Sequence, residues 1–146
     1  MLMSKIPLVE TFFLRINSVI TNLRKKDKLF TPIKKGGWTP VQIINHLVDS
    51  QTQAYYRTMW ILSEDMTTLK PFNQDKWVEL SKDFPIDAAL QIINGLYTRW
   101  FHLLKNINPI DYHKKAIHPE IGEVVLGPLV EYYINHGESH LETLIK

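Results

Sequence analysis

Residues 39–63 read TPVQIINHLVDSQTQAYYRTMWILS, and the way this stretch begins and repeats predicts a helix. Thr39 carries a side-chain oxygen of the kind that caps a helix N-terminus. Pro40 suits the first helical position, where its fixed φ fits and its missing N–H is not needed. Ile43, Leu47, Ala54 and Met59 supply an apolar side. Asp49, Ser50, Gln53 and Arg57 fall three, four, seven and eleven residues after His46 and share a polar stripe with it. Such a stripe is either a solvent face or the lining of a site, and periodicity leaves both readings open.

Three further amphipathic segments surround this one. Upstream, Val9, Phe12, Phe13, Ile16, Val19, Ile20 and Leu23 recur at helical steps from about Lys5 to Lys25. A linker with Pro32 and Gly36-Gly37 follows. Downstream, a helix starts near Asp83 to Pro85, where a capping side chain precedes proline. It carries Ile86, Leu90, Ile93, Leu96, Tyr97, Trp100 and Leu104 to a stop at Asn106 to Pro109. The last helix starts at Gly127-Pro128, with Leu129, Tyr132, Tyr133, Leu141, Leu144 and Ile145 among its apolar positions. Between the last two, the turn signal Pro119 to Gly122 sits between short apolar runs and predicts a small hairpin. Both later connections run to roughly twenty residues, longer than passive tethers, and are expected to be functional structure over one end of a four-helix bundle.

At 146 residues the chain has the length of one domain, and 1–146 is expected to form one bundle with a real core. Seventeen basic and fifteen acidic residues leave a formal charge of +2, too little field to draw nucleic acid or an anionic membrane. No stretch approaches the ~18 apolar residues of a membrane span, and the N-terminus lacks the features of a signal peptide, so a cytoplasmic protein is expected. The sequence contains no cysteine, which excludes disulfides, thiolate metal ligands and a cysteine nucleophile. Any thiol chemistry must use a thiol from outside.

The chemistry-bearing residues are histidines. His136 and His140, four apart in the last helix, put two imidazoles on one face a turn apart. On spacing alone such a pair is more often surface or core than a metal grip. His46 raises the odds: if its helix neighbours the last one, three imidazoles form a facial set that leaves coordination positions open, the arrangement of catalytic zinc. Asp49, Glu138 and Glu142 are candidates to orient the imidazoles, or are plain exposed charges. His118 in the long loop either approaches the ion or substrate or is a solvated turn residue. His102 reads as a partly buried packing residue and His113 as exposed. Arg57 and Arg99, directed inward, would need an acidic partner or an anionic ligand; Glu64, Asp65 and Glu120 are the acids at hand, and a salt bridge is the expected answer. Trp38, Trp60, Trp77, Tyr132 and Tyr133 read first as core and second as pocket walls.

Seven landmarks occur in order: GWTPVQIINHLVDSQ, Arg57, LSED, TLKPF with Trp77, LYTRWFHLL, HPEIGEVVL and YYINHGESHL. With these the chain resembles the DinB-like superfamily of small metal-binding helical bundles, most closely its YfiT-type branch, over almost its whole length. The resemblance implies an all-α, up-down-down-up four-helix bundle. It also implies one divalent ion, zinc or nickel, held at one end by His46, His136 and His140. Some members of the branch are described as transferases that attach a low-molecular-weight thiol such as bacillithiol to an electrophile, and older naming makes them metal-dependent hydrolases. The branch usually has a tryptophan and extra histidines where this chain has Asn135, Ser139 and Thr143, so the ligands carry over while their surroundings differ.

The resulting expectation is a metal-dependent thiol S-transferase with a small-molecule thiol and an electrophile as partners, able to form a homodimer. Asp49 is the candidate acid or base, and Arg57 and His118 are candidate substrate-binding residues. A hydrolase using metal-activated water and a non-catalytic metal-binding stress-response module are the alternatives.

Overall fold

The computed structural model describes residues 2–146. Four long helices are present: α1 (Leu2–Lys25), α2 (Pro40–Ser63), α4 (Ile86–Asn106) and α5 (Leu126–Ile145). A short helix α3 (Gln74–Ser81) lies between α2 and α4. A 3-10 turn (Pro109–His113) and strands β1 (Lys115–His118) and β2 (Gly122–Val125) lie between α4 and α5.

Side-chain contacts fix the direction of each helix. Lys5 and Arg15 of α1 bond to Asn135 and Glu138 of α5, so these two run parallel. Arg24 pairs with Asp87, and Phe12 stacks on Tyr97, so α4 runs against α1. Asn45 bonds to the Phe84 carbonyl and Thr58 accepts from Trp100, so α2 and α4 are parallel. The order is up-down-down-up, with α1 and α2 each packed between α4 and α5. Phe12, Ile16, Ile20, Ile44, Leu47, Ile61, Ile93, Trp100 and Leu104 form the centre of the core. Taking their apolar side chains from water is the main drive for the assembly.

Local chemistry explains the helix ends. Thr39 Oγ1 accepts from the Gln42 N–H, and the Gln42 side chain accepts from the Thr39 N–H, which makes a capping box at the start of α2. At α4 the expected side-chain cap is absent, because Pro85 itself holds the cap position. Helix α1 begins at Leu2, ahead of the expected Lys5, and accommodates Pro7 inside it. Met59, expected on the core side of α2, is exposed, as are Trp60, Trp77 and Tyr132, whereas Tyr133 is buried. His102 is exposed as well, because α4 turns it outward.

The hairpin pairs Lys115 with Val125 through His118 with Gly122, and Gly122 has the positive φ of 83° that its turn requires. Ile117 also exchanges backbone bonds with the α2–α3 connection, its N–H reaching the Thr67 carbonyl and its carbonyl receiving the Leu69 N–H. The two long connections are therefore stitched together over one end of the α2–α5 pair.

Candidate metal centre

His46 lies on α2, buried to 2% exposure, and His136 and His140 lie half-buried on α5. Because the two helices are antiparallel neighbours, the rings face one another. His136 Nε2 lies 3.3 Å from His46 Nε2 and 3.2 Å from His140 Nε2, and one ligand nitrogen from each ring falls within 4.8 Å of the others. No other group of three or more such residues is found among the described residues. Trp38 stacks on His140 and tilts against His46, while Tyr132 stacks on His136, so aromatic rings flank the set on both sides.

The proton positions follow from Gln51. Its Nε2 donates to the Tyr133 carbonyl at 2.9 Å and the Tyr97 hydroxyl at 2.8 Å. A carbonyl can only accept, so the amide orientation is fixed and Gln51 Oε1 must face the other way. That oxygen lies 3.2 Å from His136 Nδ1 and 3.3 Å from Ser50 Oγ. An amide oxygen cannot donate, so His136 carries its proton on Nδ1, and its Nε2 presents a bare lone pair to the other two rings. Gly137 makes this approach possible. A Cβ there would stand 2.6 Å from the Tyr97 hydroxyl and 3.3 Å from Gln51 Nε2 and Phe12 Cε1.

Burial, with added repulsion from the neighbouring rings, pulls His46 and His136 down to a pKa of about 4, and burial lowers His140 as well. All three are neutral near pH 7, the state in which imidazole binds a metal. A tetrahedral ion with metal–nitrogen bonds of about 2.0–2.1 Å spaces its ligands about 3.3 Å apart. The donor set therefore fits a divalent ion in type, charge state and separation. The single Nε2 lone pair of His136 also cannot serve two N–H donors well, which a cation between the rings would resolve.

Beside the rings opens a cavity of about 740 Å³, whose wall includes Ser50, Arg57, His118, Tyr132, Tyr133 and His136. Arg57 donates to the Tyr133 hydroxyl at 2.6 Å and to the Lys70 carbonyl at 2.8 Å. The expected salt bridge is absent: among the described residues no carboxylate lies within ion-pair distance of Arg57. Its Nε is the one buried side-chain polar atom without a partner among them. His118 lines the same cavity, its Nδ1 taken by the Glu120 N–H, and stands outside the imidazole cluster.

Asp49 turns elsewhere. Its carboxylate accepts from Ser81 of α3 and lines a smaller cavity of about 130 Å³ with Asn45, Phe84 and Ala89. Burial raises its pKa. Glu138 is held by the Arg15 guanidinium at 2.6 and 2.9 Å, and Glu142 pairs with Lys146 in solvent, so neither orients an imidazole. Arg99, expected to point inward, is exposed and stacks over Tyr55. The orienting acceptor is Gln51, which sequence reasoning passed over because an amide among polar helix residues carries no metal signature.

The fold and this cluster define a small helical-bundle protein with a three-histidine site, and the chain belongs to the DinB superfamily, whose model matches residues 15–144. A Bacillus mycoides protein provisionally named a metal-dependent hydrolase is 38% identical over 77% of this chain and 66% of its own length. A Bacillus cereus (strain B4264) protein with the same provisional name is 34% identical over 91% of this chain and 81% of its own. The chain thus spans two thirds to four fifths of the length of these relatives. YfiT from Bacillus subtilis, a bundle of unusual topology, superposes with a TM-score of 0.90 at 24% identity, over 99% of this chain and 83% of YfiT. The mycothiol-dependent maleylpyruvate isomerase superposes with a TM-score of 0.76 at 11% identity, over 99% of this chain and 60% of the isomerase.

Proposed function

We propose that the protein is a metal-dependent transferase joining a low-molecular-weight thiol to a small electrophile, with His46, His136 and His140 holding one divalent ion of the zinc or nickel type. The observation that carries this reading is the convergence of three neutral imidazole nitrogens, 3.2–3.3 Å apart along the chain of contacts, beside a cavity of about 740 Å³. When bound there, a divalent cation lowers the pKa of a thiol so that it reacts as thiolate near neutral pH.

The protein's own residues hold and shield. Gln51 keeps the His136 proton on Nδ1, so that Nε2 stays free to bind. Trp38 and Tyr132 stack on His140 and His136 and flank the imidazoles from either side. His118, with Nδ1 occupied, retains an Nε2–H to donate to a ligand in the cavity. The thiol-transfer reading also suits the composition of the cluster among the described residues, in which no carboxylate joins the imidazoles to act as base toward water. A thiolate needs no such base. The mycothiol dependence stated for the isomerase that shares the fold supports the same reading.

The provisional names of the Bacillus relatives favour a hydrolase instead. One comparison separates the two. With zinc or nickel added, bacillithiol and monochlorobimane should give the bimane adduct, and the His46→Ala protein should not. Ester or amide cleavage without any thiol, and no adduct formation, would favour the hydrolase. Metal binding with neither activity would leave a binding module.

A further inference from the structure

Arg57 brings a full positive charge to a position only 9% exposed, where an unpaired ion is costly unless a counter-charge arrives. Its known partners are a phenol oxygen and a backbone carbonyl, both neutral, and they occupy two of the five N–H groups of the guanidinium. The acids that share its cavity, Glu120 and Glu123, sit exposed at the rim on the hairpin, and Glu123 pairs with Lys115. The Tyr133 hydroxyl accepts from Arg57 and so has its own proton to offer. Tyr133 also stands one turn before His136 on α5, which sets the guanidinium and the imidazole cluster on one wall.

Opposite and around them the cavity is apolar, with Phe72, Ile121, Val124 and Leu129. We propose that this cavity takes the electrophilic co-substrate and that this molecule carries a carboxylate, seated on Arg57 and Tyr133, on an apolar body. A monoanion matches one guanidinium. A phosphate dianion would bring a second charge to a cavity whose wall holds no second fixed cation, its other basic side chains being the histidines His118 and His136. The planar fork suits a carboxylate through paired hydrogen bonds. The role of the bound molecule as co-substrate rests on the transferase reading, whereas the anion seat itself does not.

The full chain should be titrated by calorimetry with 4-phenylbutanoate and with 4-phenylbutanamide, with zinc present and after chelation. The seat predicts that the carboxylate binds at least about tenfold tighter than the amide in both states, the scale of a charge-assisted hydrogen bond. It further predicts that Arg57→Gln brings the ratio close to one. The chelated arm keeps this test independent of the metal reading, since a seat on Arg57 survives loss of the ion. Equal affinity for the two ligands, no binding of either, or a preference that disappears on chelation and persists in Arg57→Gln with zinc would overturn the proposal. Should Arg57→Gln lose its helical circular dichroism, Arg57→Lys takes its place. It keeps the charge without the fork, so the ratio should fall several-fold, and an unchanged ratio would contradict the proposal.

Discussion

The histidines divide by what surrounds them rather than by type. His46→Ala, His136→Ala and His140→Ala each remove one of three converging nitrogens and should weaken zinc binding by more than the about 10–100-fold of an altered outer partner. His102→Ala and His113→Ala, both exposed, should leave it unchanged. Competition titration against a chromophoric chelator reads all five, and full affinity in His46→Ala would remove α2 from the site. Gln51→Leu tests the tautomer argument. It frees the His136 ring, takes the added donor from the Tyr133 carbonyl and leaves the Tyr97 hydroxyl without the Gln51 amide. Metal affinity should fall about 10–100-fold and stability by about 1–3 kcal/mol. Unchanged affinity would show that Gln51 does not set the proton.

Helical geometry explains why some residues were legible in the sequence and others were not. At about 100° per residue, Arg57 and Ser50 lie within about 40° of His46 around α2, while Asp49 lies about 60° to the other side. The polar stripe is therefore split between two neighbours, with His46 and Ser50 meeting α5 and Asp49 meeting Ser81 of α3. A period read from one helix cannot say which neighbour each edge meets. Helix α3 itself was missed because eight residues are too few for a 3.6-residue period to register. The cap of α2, the four long helices and the hairpin were legible because their signals are local: Thr39-Pro40, repeated apolar steps, and Pro119 to Gly122.

On α4 and α5 the same logic gives a paired test. Alanine is ordinarily favoured over glycine inside a helix by about 1 kcal/mol. Gly95 has open space where a Cβ would go, so Gly95→Ala should raise stability by about that amount. At Gly137 the new methyl meets Tyr97, which is fixed by stacking on Phe12 and by Gln51. Gly137→Ala should cost about 1–3 kcal/mol instead. Chemical denaturation of both variants decides it, and a stabilised Gly137→Ala would mean that α5 does not approach so closely.

At the scale of the molecule, the ion and the fold are separable. Four amphipathic helices bury a core that does not depend on metal, so chelation should leave most helical circular dichroism and lower only the melting temperature, by mass action. The pH dependence has a definite sign. In the unfolded chain each histidine titrates near 6.5, whereas His46 and His136 titrate near 4 in the fold. Between these values the unfolded chain binds more protons. Metal-free stability should therefore hold above about pH 6.5, fall as the pH drops toward about 4 and then level. Loss of metal, expected near 6.5 for free histidines, should likewise move to lower pH because protons compete poorly for these buried rings. Melts of the chelated protein across this range would show the reverse slope if the imidazoles were charged in the fold. No helix among the described residues is long and apolar enough to cross a membrane.

The central claim is that His46, His136 and His140 together hold one divalent ion. Elemental analysis of protein prepared without an affinity tag, after incubation with zinc and nickel and removal of excess, tests it directly. The account predicts about one ion per chain in the wild type and close to none in a His46→Ala, His136→Ala double variant that retains its helical spectrum. A wild type that remains free of metal, or a double variant that binds as much as the wild type, would contradict it.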